Sequence, residues 1–450
     1  MLIAALVACV CADPAPAAAP TAAKAPPGVA RTARKGAELF GINEAVSIPK
    51  LFLDDGRISP AEEPALLAQD AAAAAHLGAA IVRSNTANYP YLDHLRLARS
   101  GWDWRRADAW VAAVQAAGLD ALVMIGPWPG NATAGFTTAY VPTDLPAYAA
   151  YVRRVVERYD GDGVDDMPGL QRKIRYWEVD NEPDLHNSKP PKNGPQRIDP
   201  ALFERPDEYA AVLLASAQAI RQADPEAVVL SAGFFRPHHP QGAAYARAVF
   251  DDPAVVAAVD VFSAHVYFEE DGIEPLARAL QLAAELLPGK PVWITETSVP
   301  SDPRKPHIDE AWQGKMVAAI IGAALAGGAD RVFWHTLADP PWAKERSGAP
   351  FSTHSLLATT APGPGSVVGG VVDKPAGAVY RRLAALLRDT DPAVYREEAA
   401  AGGRLLWTGA GWLAFWGSPS LPPGAGVITD LRTGEVLTAA VAPAWIASQK

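Results

Sequence analysis

Two glutamates in this chain stand where an apolar run gives out. Residues 174–184 read Ile-Arg-Tyr-Trp-Glu-Val-Asp-Asn-Glu-Pro-Asp. The run suits a buried strand as far as Val179, and Pro183, which has no N–H to continue a ladder, ends it. Glu182 is left at the strand's tip. Residues 291–298, Pro-Val-Trp-Ile-Thr-Glu-Thr-Ser, have the same form and put Glu296 at a second tip. In a barrel of parallel strands, side chains at the C-terminal tips project into the mouth and not into the packed interior. Two carboxyls meeting there can divide the work of proton donor and of nucleophile or base, which is what breaking a glycosidic bond requires.

Other residue types in the chain would serve the same chemistry. Asn181, beside Glu182, can hydrogen-bond a sugar 2-hydroxyl. Arg83, ending the run Ala-Ile-Val-Arg, supplies a cation that would keep a neighbouring carboxylate ionised; a buried pair with Glu178 is its structural alternative. His265 and Tyr267 fall on one side of a strand by the period of two, and would otherwise be satisfied polar groups at a barrel rim. Trp334, within Arg-Val-Phe-Trp-His at 331–335, offers an aromatic face for a sugar ring, or else belongs to the core. Trp128 is a further substrate-binding candidate, with Trp102, Trp104 and Trp342 as weaker cleft walls. Taken alone, Asn-Glu-Pro is also an ordinary turn sequence.

The elements that must hold these residues alternate. From about 34 to 389, eight candidate strands end near Asn43, Ser84, Gly126, Glu182, Gly233, Tyr267, Glu296 and His335. Between them Tyr148, Tyr151, Val152, Val155, Val156 and Tyr159 make one helical stripe, and Tyr209, Val212, Leu213, Ala217 and Ile220 make another. Gly118, Gly289 and Gly327 or Gly328 fall where helices should stop. The pattern predicts an α/β fold, a (β/α)8 barrel over 34–390. Beyond a helix at 380–387 come short strands at 404–408, 412–416, 427–431 and 436–441, separated by Gly and Pro. They predict a small antiparallel β-domain over 391–450, too small to bury much alone and therefore docked on the barrel.

Composition narrows the field. The chain has 450 residues, 49% of them hydrophobic, enough for a sizeable core, and its net charge of −10 argues against nucleic acid as a partner. Both cysteines, Cys9 and Cys11, lie in the first dozen residues, so disulfides, a thiolate nucleophile and Cys-rich zinc sites are excluded from the fold. Residues 1–10 are apolar and 13–28 mostly Ala and Pro, which reads as a signal segment and linker spanning 1–33. Leu6-Val7-Ala8-Cys9 resembles a bacterial lipobox without a basic segment before it, making Cys9 a candidate lipid anchor. The expected location is secreted, periplasmic or at the outer surface, with no transmembrane helix in the mature chain.

Two other motifs fail. The acidic run at 160–166 has Val164 at an EF-hand ligand position and no closing glutamate, so it reads as an exposed turn and not as a calcium loop. His238 and His239 lack a third ligand. No Gly-rich phosphate cradle follows a strand, and no cofactor or metal is expected.

On Asn181-Glu182-Pro183, Ile294-Thr295-Glu296, and the placing of Arg83 on strand two, His265 and Tyr267 on strand six and Trp334 on strand eight, the chain resembles the clan A glycoside hydrolases, most of all families 5 and 39. The resemblance spans about 40–336. It implies retaining (β/α)8 enzymes with Glu182 on strand four as acid/base and Glu296 on strand seven as nucleophile, acting on an oligo- or polysaccharide. Strand three departs from family 5, ending Gly126-Pro127-Trp128 without a polar residue. The rival readings are a catalytically silent carbohydrate-binding barrel and a transglycosylase. The insert at 185–206, rich in Pro, Lys and Asn, is expected to form one wall of the mouth.

Overall fold

The computed structural model describes residues 35–43, 61–84, 104–126, 142, 144–185, 205–268, 272–302, 305–339, 353–360 and 370–448. Trp128, Trp102, Trp342, Cys9, Cys11, the segment 1–33 and most of the insert at 185–206 lie outside them.

Nine parallel strands form one sheet: β1 (Phe40–Asn43), β2 (Ile81–Arg83), β3 (Asp120–Ile125), β4 (Tyr176–Val179), β5 (Val228–Leu230), β6 (Phe234–Phe235), β7 (Phe262–His265), β8 (Val292–Thr297) and β9 (Arg331–His335). β5 and β6 are two pieces of one stave. β5 pairs with β4 and β6 with β7, while the bridges Leu230 to Val261 and Asn181 to Gly233 join the seam. β9 pairs with β1, so the ring closes as an eight-stave barrel. Counted as staves, Glu182 follows the fourth and Glu296 lies on the seventh.

The alternation along each stave explains what fills the barrel. Ile81, Leu122, Tyr176, Leu230, Val261, Trp293 and Phe333 point inward and form a packed plug. Arg331 stacks on it, its guanidinium 4.6 Å from the Trp293 ring and 5.0 Å from that of Tyr176. With the interior solid there, a site open to substrate has room above the plug, at the C-terminal tips.

The helices carry the predicted stripes. Tyr148, Tyr151, Val152, Val155 and Val156 are the buried face of the helix Leu145–Glu157, and Tyr209, Val212, Leu213, Ala217 and Ile220 that of Pro206–Ala223. Of the paired glycines after the helix Glu310–Ala326, it is Gly328 that takes the left-handed conformation, with φ of 94°. Among the described residues no helix is long and apolar enough to cross a membrane.

The C-terminal region forms a six-stranded antiparallel sheet from Arg396–Ala400, Gly403–Trp407, Gly411–Gly417, Ala425–Asp430, Val436–Leu437 and Ala444–Ser448. It lies on the helix Glu310–Ala326, which is buried almost all round because the barrel covers one side and the sheet another. A β-carbon on Gly322 would come within 2.4 Å of Phe415 Cβ, so glycine sets how closely the two approach. Arg382, on the helix Pro375–Leu387, donates to the carbonyls of Leu431 and Thr433 at 2.8 and 3.2 Å. A small sheet of Ala338–Asp339, Leu357–Thr359 and Val371–Asp373, without a counterpart in the sequence reading, lies between β9 and that helix in the chain.

Candidate active site

Arg83 organises the space above the plug. It is fully buried at the tip of β2, and its guanidinium donates in several directions. Nε binds the Glu178 carboxylate, Nη1 reaches Glu296 Oε1 at 2.7 Å and Asn43 Oδ1 at 3.2 Å, and Nη2 reaches Asn181 Oδ1 at 2.9 Å. The two readings of Arg83 are therefore both true: it pairs with Glu178 below and holds Glu296 above.

Glu296 reaches the interior through a defect in its stave. Trp293 faces inward, so strict alternation would turn Glu296 outward. The β7–β8 register skips Thr295, pairing Ala264 with Ile294 and His265 with Glu296. This bulge brings Glu296 onto the side of His265. Besides Arg83, its carboxylate accepts from the Tyr267 hydroxyl at Oε2. Burial pushes the Glu296 carboxyl up, but the Arg83 guanidinium and the Tyr267 hydroxyl that bind it pull it down, and the balance falls below the usual carboxylate value.

Glu182 is set by the backbone after β4. Asp180 and Glu182 both have positive φ, 70° and 47°, an uncommon conformation for such side chains. The turn is tied on every side. Asp180 Oδ1 accepts from Asn181 N at 2.7 Å, Glu182 N donates to Gly233 O at 3.1 Å, and Tyr209 Oη donates to Val179 O at 3.0 Å. Asp184 Oδ1 accepts from Phe235 N at 2.7 Å, fastening the far side to the next stave. Glu182 Oε1 lies 2.7 Å from His265 Nδ1, which is 3.5 Å from Glu296 Oε2. Burial lifts the Glu182 carboxyl well above the usual carboxylate range, and the nearby Glu296 adds to the effect. Burial also holds His265 neutral, its pKa lowered to about 3. One oxygen of each glutamate and a nitrogen of His265 all lie within 4.8 Å of one another.

Of the residues read from sequence, Glu182, Glu296, Arg83, Asn181, His265 and Tyr267 thus converge. Trp334 does not join them. It is in register with Ile42, whose side chain belongs to the outer layer between staves and helices, and it is fully buried there, donating Nε1 to His354 O at 2.8 Å. The inward residue at that tip is its neighbour His335, in register with Asn43. Trp104 packs edge-on against Tyr159 beneath Arg158, an outer-layer contact. The sequence reading missed Asn43, Asp184 and His335 as site residues, although Asn43 and His335 were both read as strand ends. The period of two puts His335 and Trp334 on opposite faces, and the register with Asn43 shows that His335 is the one turned inward. The sequence reading also missed Gly233, where a β-carbon would fall 1.9 Å from His265 Nε2, so only glycine leaves room for that ring.

Glu182, His265 and Glu296 also have the ligand types of a metal site. The guanidinium 2.7 Å from Glu296 Oε1 disfavours a dication there by charge. The run at 160–166 is an acidic turn that caps itself: Asp166 accepts from Gly161 N and Gly163 N, and Asp162 from Val164 N.

No protein-family model matches the chain, and no curated protein matches it. Solved structures with this fold include a family 39 glycoside hydrolase from the gut symbiont Bacteroides cellulosilyticus WH2, with 14% identity, a TM-score of 0.59 and coverage of 92% of this chain and 82% of that one. A family 39 β-xylosidase from Caulobacter crescentus has 17% identity and a TM-score of 0.52, covering 84% and 78%. An exo-β-1,4-mannosidase from Opitutaceae bacterium strain TAV5 has 16% identity and a TM-score of 0.53, covering 78% and 60%. The likeness is one of fold.

Proposed function

We propose that the chain is a retaining β-glycoside hydrolase acting by double displacement. The observation that carries this reading is the pair Glu182 and Glu296, with carboxyl oxygens within 4.8 Å and environments that push their proton affinities apart. Retaining enzymes keep their two carboxyls roughly 5–5.5 Å apart, whereas inverting enzymes leave roughly 6.5–9.5 Å for a water molecule. One oxygen of each glutamate lies within 4.8 Å of the other, a closeness that favours the retaining range.

In the first step a Glu296 carboxylate oxygen bonds to the anomeric carbon while Glu182 gives its proton to the departing glycosidic oxygen. In the second, Glu182, now ionised, takes a proton from water, whose oxygen displaces Glu296 and restores both groups. Arg83 and Tyr267 hold Glu296 in place. Arg83 occupies Asn181 Oδ1, which leaves the amide nitrogen as the end of Asn181 that can meet a sugar hydroxyl. The catalytic roles of Glu182 and Glu296, and the substrate contacts of Asn181, His265 and Tyr267, are part of this proposal. So is Trp128, on its sequence position alone.

The proposed substrate is a β-linked oligo- or polysaccharide outside the cytoplasm, and the proposed lipid anchor is Cys9. The location and the anchor rest on the apolar and Ala/Pro-rich sequence before residue 34. Sugar release from a panel of β-linked polysaccharides and aryl β-glycosides tests the reading. The parent should turn over at least one member and Glu296→Ala should not; equal release by both would remove Glu296 from the mechanism.

A further inference from the structure

Three successive residues at the tip of β8 bond beyond their own stave. Glu296 accepts from the Tyr267 hydroxyl, Thr297 Oγ1 donates to Val266 O at 2.7 Å, and Ser298 Oγ lies 2.7 Å from His354 Nδ1. The His354 ring stands against Tyr267, nearly perpendicular at 79° with centroids 6.5 Å apart, and the His335 ring does the same at 89° and 6.0 Å. Perpendicular aromatic rings attract at such separations. The Tyr267 hydroxyl meets Glu296 only while its ring keeps this attitude. Thr297 fixes the backbone just before the tyrosine, and the two histidines flank the phenol.

His354 itself is tethered on both sides. Before it, Thr353 O accepts from Ser301 N at 3.1 Å, Gln313 Nε2 at 2.9 Å and Lys374 Nζ at 3.3 Å. After it, Ser355 N donates to Asp339 Oδ1 at 3.1 Å, and Asp339 pairs with the buried Lys374 at 2.8 Å. Burial first, then His335 and Lys374, keep the His354 ring neutral, with its pKa down at about 3, so it meets the phenol as a ring and not as a cation.

We propose that His354 is a positioning residue for Tyr267 and, through it, for Glu296: Ser298 sets the angle of the His354 ring, and the ring holds the phenol so that its hydroxyl stays on the carboxylate. The catalytic consequence rests on Glu296 as the nucleophile. The charged and titratable groups around Glu296 and Tyr267 come from several staves. They are Arg83 from β2, with Glu178 beneath it, Glu182 after β4, His265 on β7 and His335 on β9, with Lys374 and Asp339 behind His354. Replacing His354 or Ser298 leaves each of them in the chain. A change in Glu296 that vanishes once the Tyr267 hydroxyl is gone therefore reports the phenol.

The experiment is a carbon-13 NMR titration of the glutamate carboxyls, with the Glu296 signal assigned by its loss in Glu296→Gln. It is run on the parent, His354→Ala, Ser298→Ala, Tyr267→Phe and the two double variants that combine Tyr267→Phe with each of the others. Loss of the phenol hydroxyl should raise the Glu296 midpoint by about one pH unit, and His354→Ala should raise it by about half as much. Ser298→Ala should move it the same way by less, and neither change should add to Tyr267→Phe. The acid limb of kcat/KM should follow the midpoint on any glycoside that the panel identifies. An unmoved midpoint in His354→Ala would overturn the proposal, as would a shift that adds in full to that of Tyr267→Phe. If His354→Ala does not fold, Ser298→Ala, which removes one oxygen, decides by the same two criteria. A panel without turnover would remove the glycosidase reading, while the titration would still decide the role of His354.

Discussion

A single cation separates the behaviour of two otherwise similar carboxyls. Arg83 touches Glu296 directly and meets Glu182 only through Asn181, so one glutamate is held ionised while burial keeps the other protonated. On this account kcat/KM falls at low pH as Glu296 gains a proton and at high pH as Glu182 loses its own. Glu182→Gln cannot lose that proton, so the alkaline limb should disappear while the acid limb stays. On an aryl glycoside whose leaving group needs no protonation, kcat should fall by about 10²–10⁴ for want of a base, and azide, which needs none, should restore turnover as a glycosyl azide. An alkaline limb that persists in Glu182→Gln would assign it to another group. The residue types were legible in sequence because each carboxyl ends an apolar run. Asn43 and His335 were not, because a residue at a strand end gains its meaning from the neighbouring staves, which only the closed ring supplies.

At the scale of the element, alternation succeeded where strands are regular and failed where they are not. The tips of all eight staves were readable to within a few residues, as was the inward facing of His265. The bulge at Thr295 leaves no mark in composition, yet it brings Glu296 inward. In β9, regular alternation puts Trp334 outside. Trp334→Phe should therefore lower thermal stability by about 1–3 kcal/mol, since it shrinks a fully buried ring and removes the indole donor from the part-buried His354 carbonyl, and should leave KM unchanged. A raised KM at unchanged stability would return Trp334 to the substrate. The strand Arg396–Ala400 escaped notice because Arg-Glu-Glu-Ala-Ala has no apolar alternation; its pairing with Gly403–Trp407 makes it a strand.

For the whole molecule, the alternation of strands and helices announced the barrel, and the Gly- and Pro-punctuated texture after 390 announced the second sheet. How the two meet was not legible, because Gly322 reads only as a weak point inside an apolar helix. In the fold it is a contact surface, lying against Phe415. Gly322→Leu should cost about 1–3 kcal/mol by overpacking, and amide exchange in Gly411–Gly417 should quicken more than in the barrel strands. Unchanged stability and exchange would mean that the sheet does not depend on this contact.

The central claim is that Glu296 forms a bond to the sugar and that Glu182 releases it. The most direct measurement is proton NMR of the first sugar released from an aryl β-glycoside that the parent turns over, read before the anomers equilibrate. Two displacements predict the β-anomer first, with none formed by Glu296→Ala under the same conditions. The α-anomer appearing first would mean a single displacement by water, and would contradict the account.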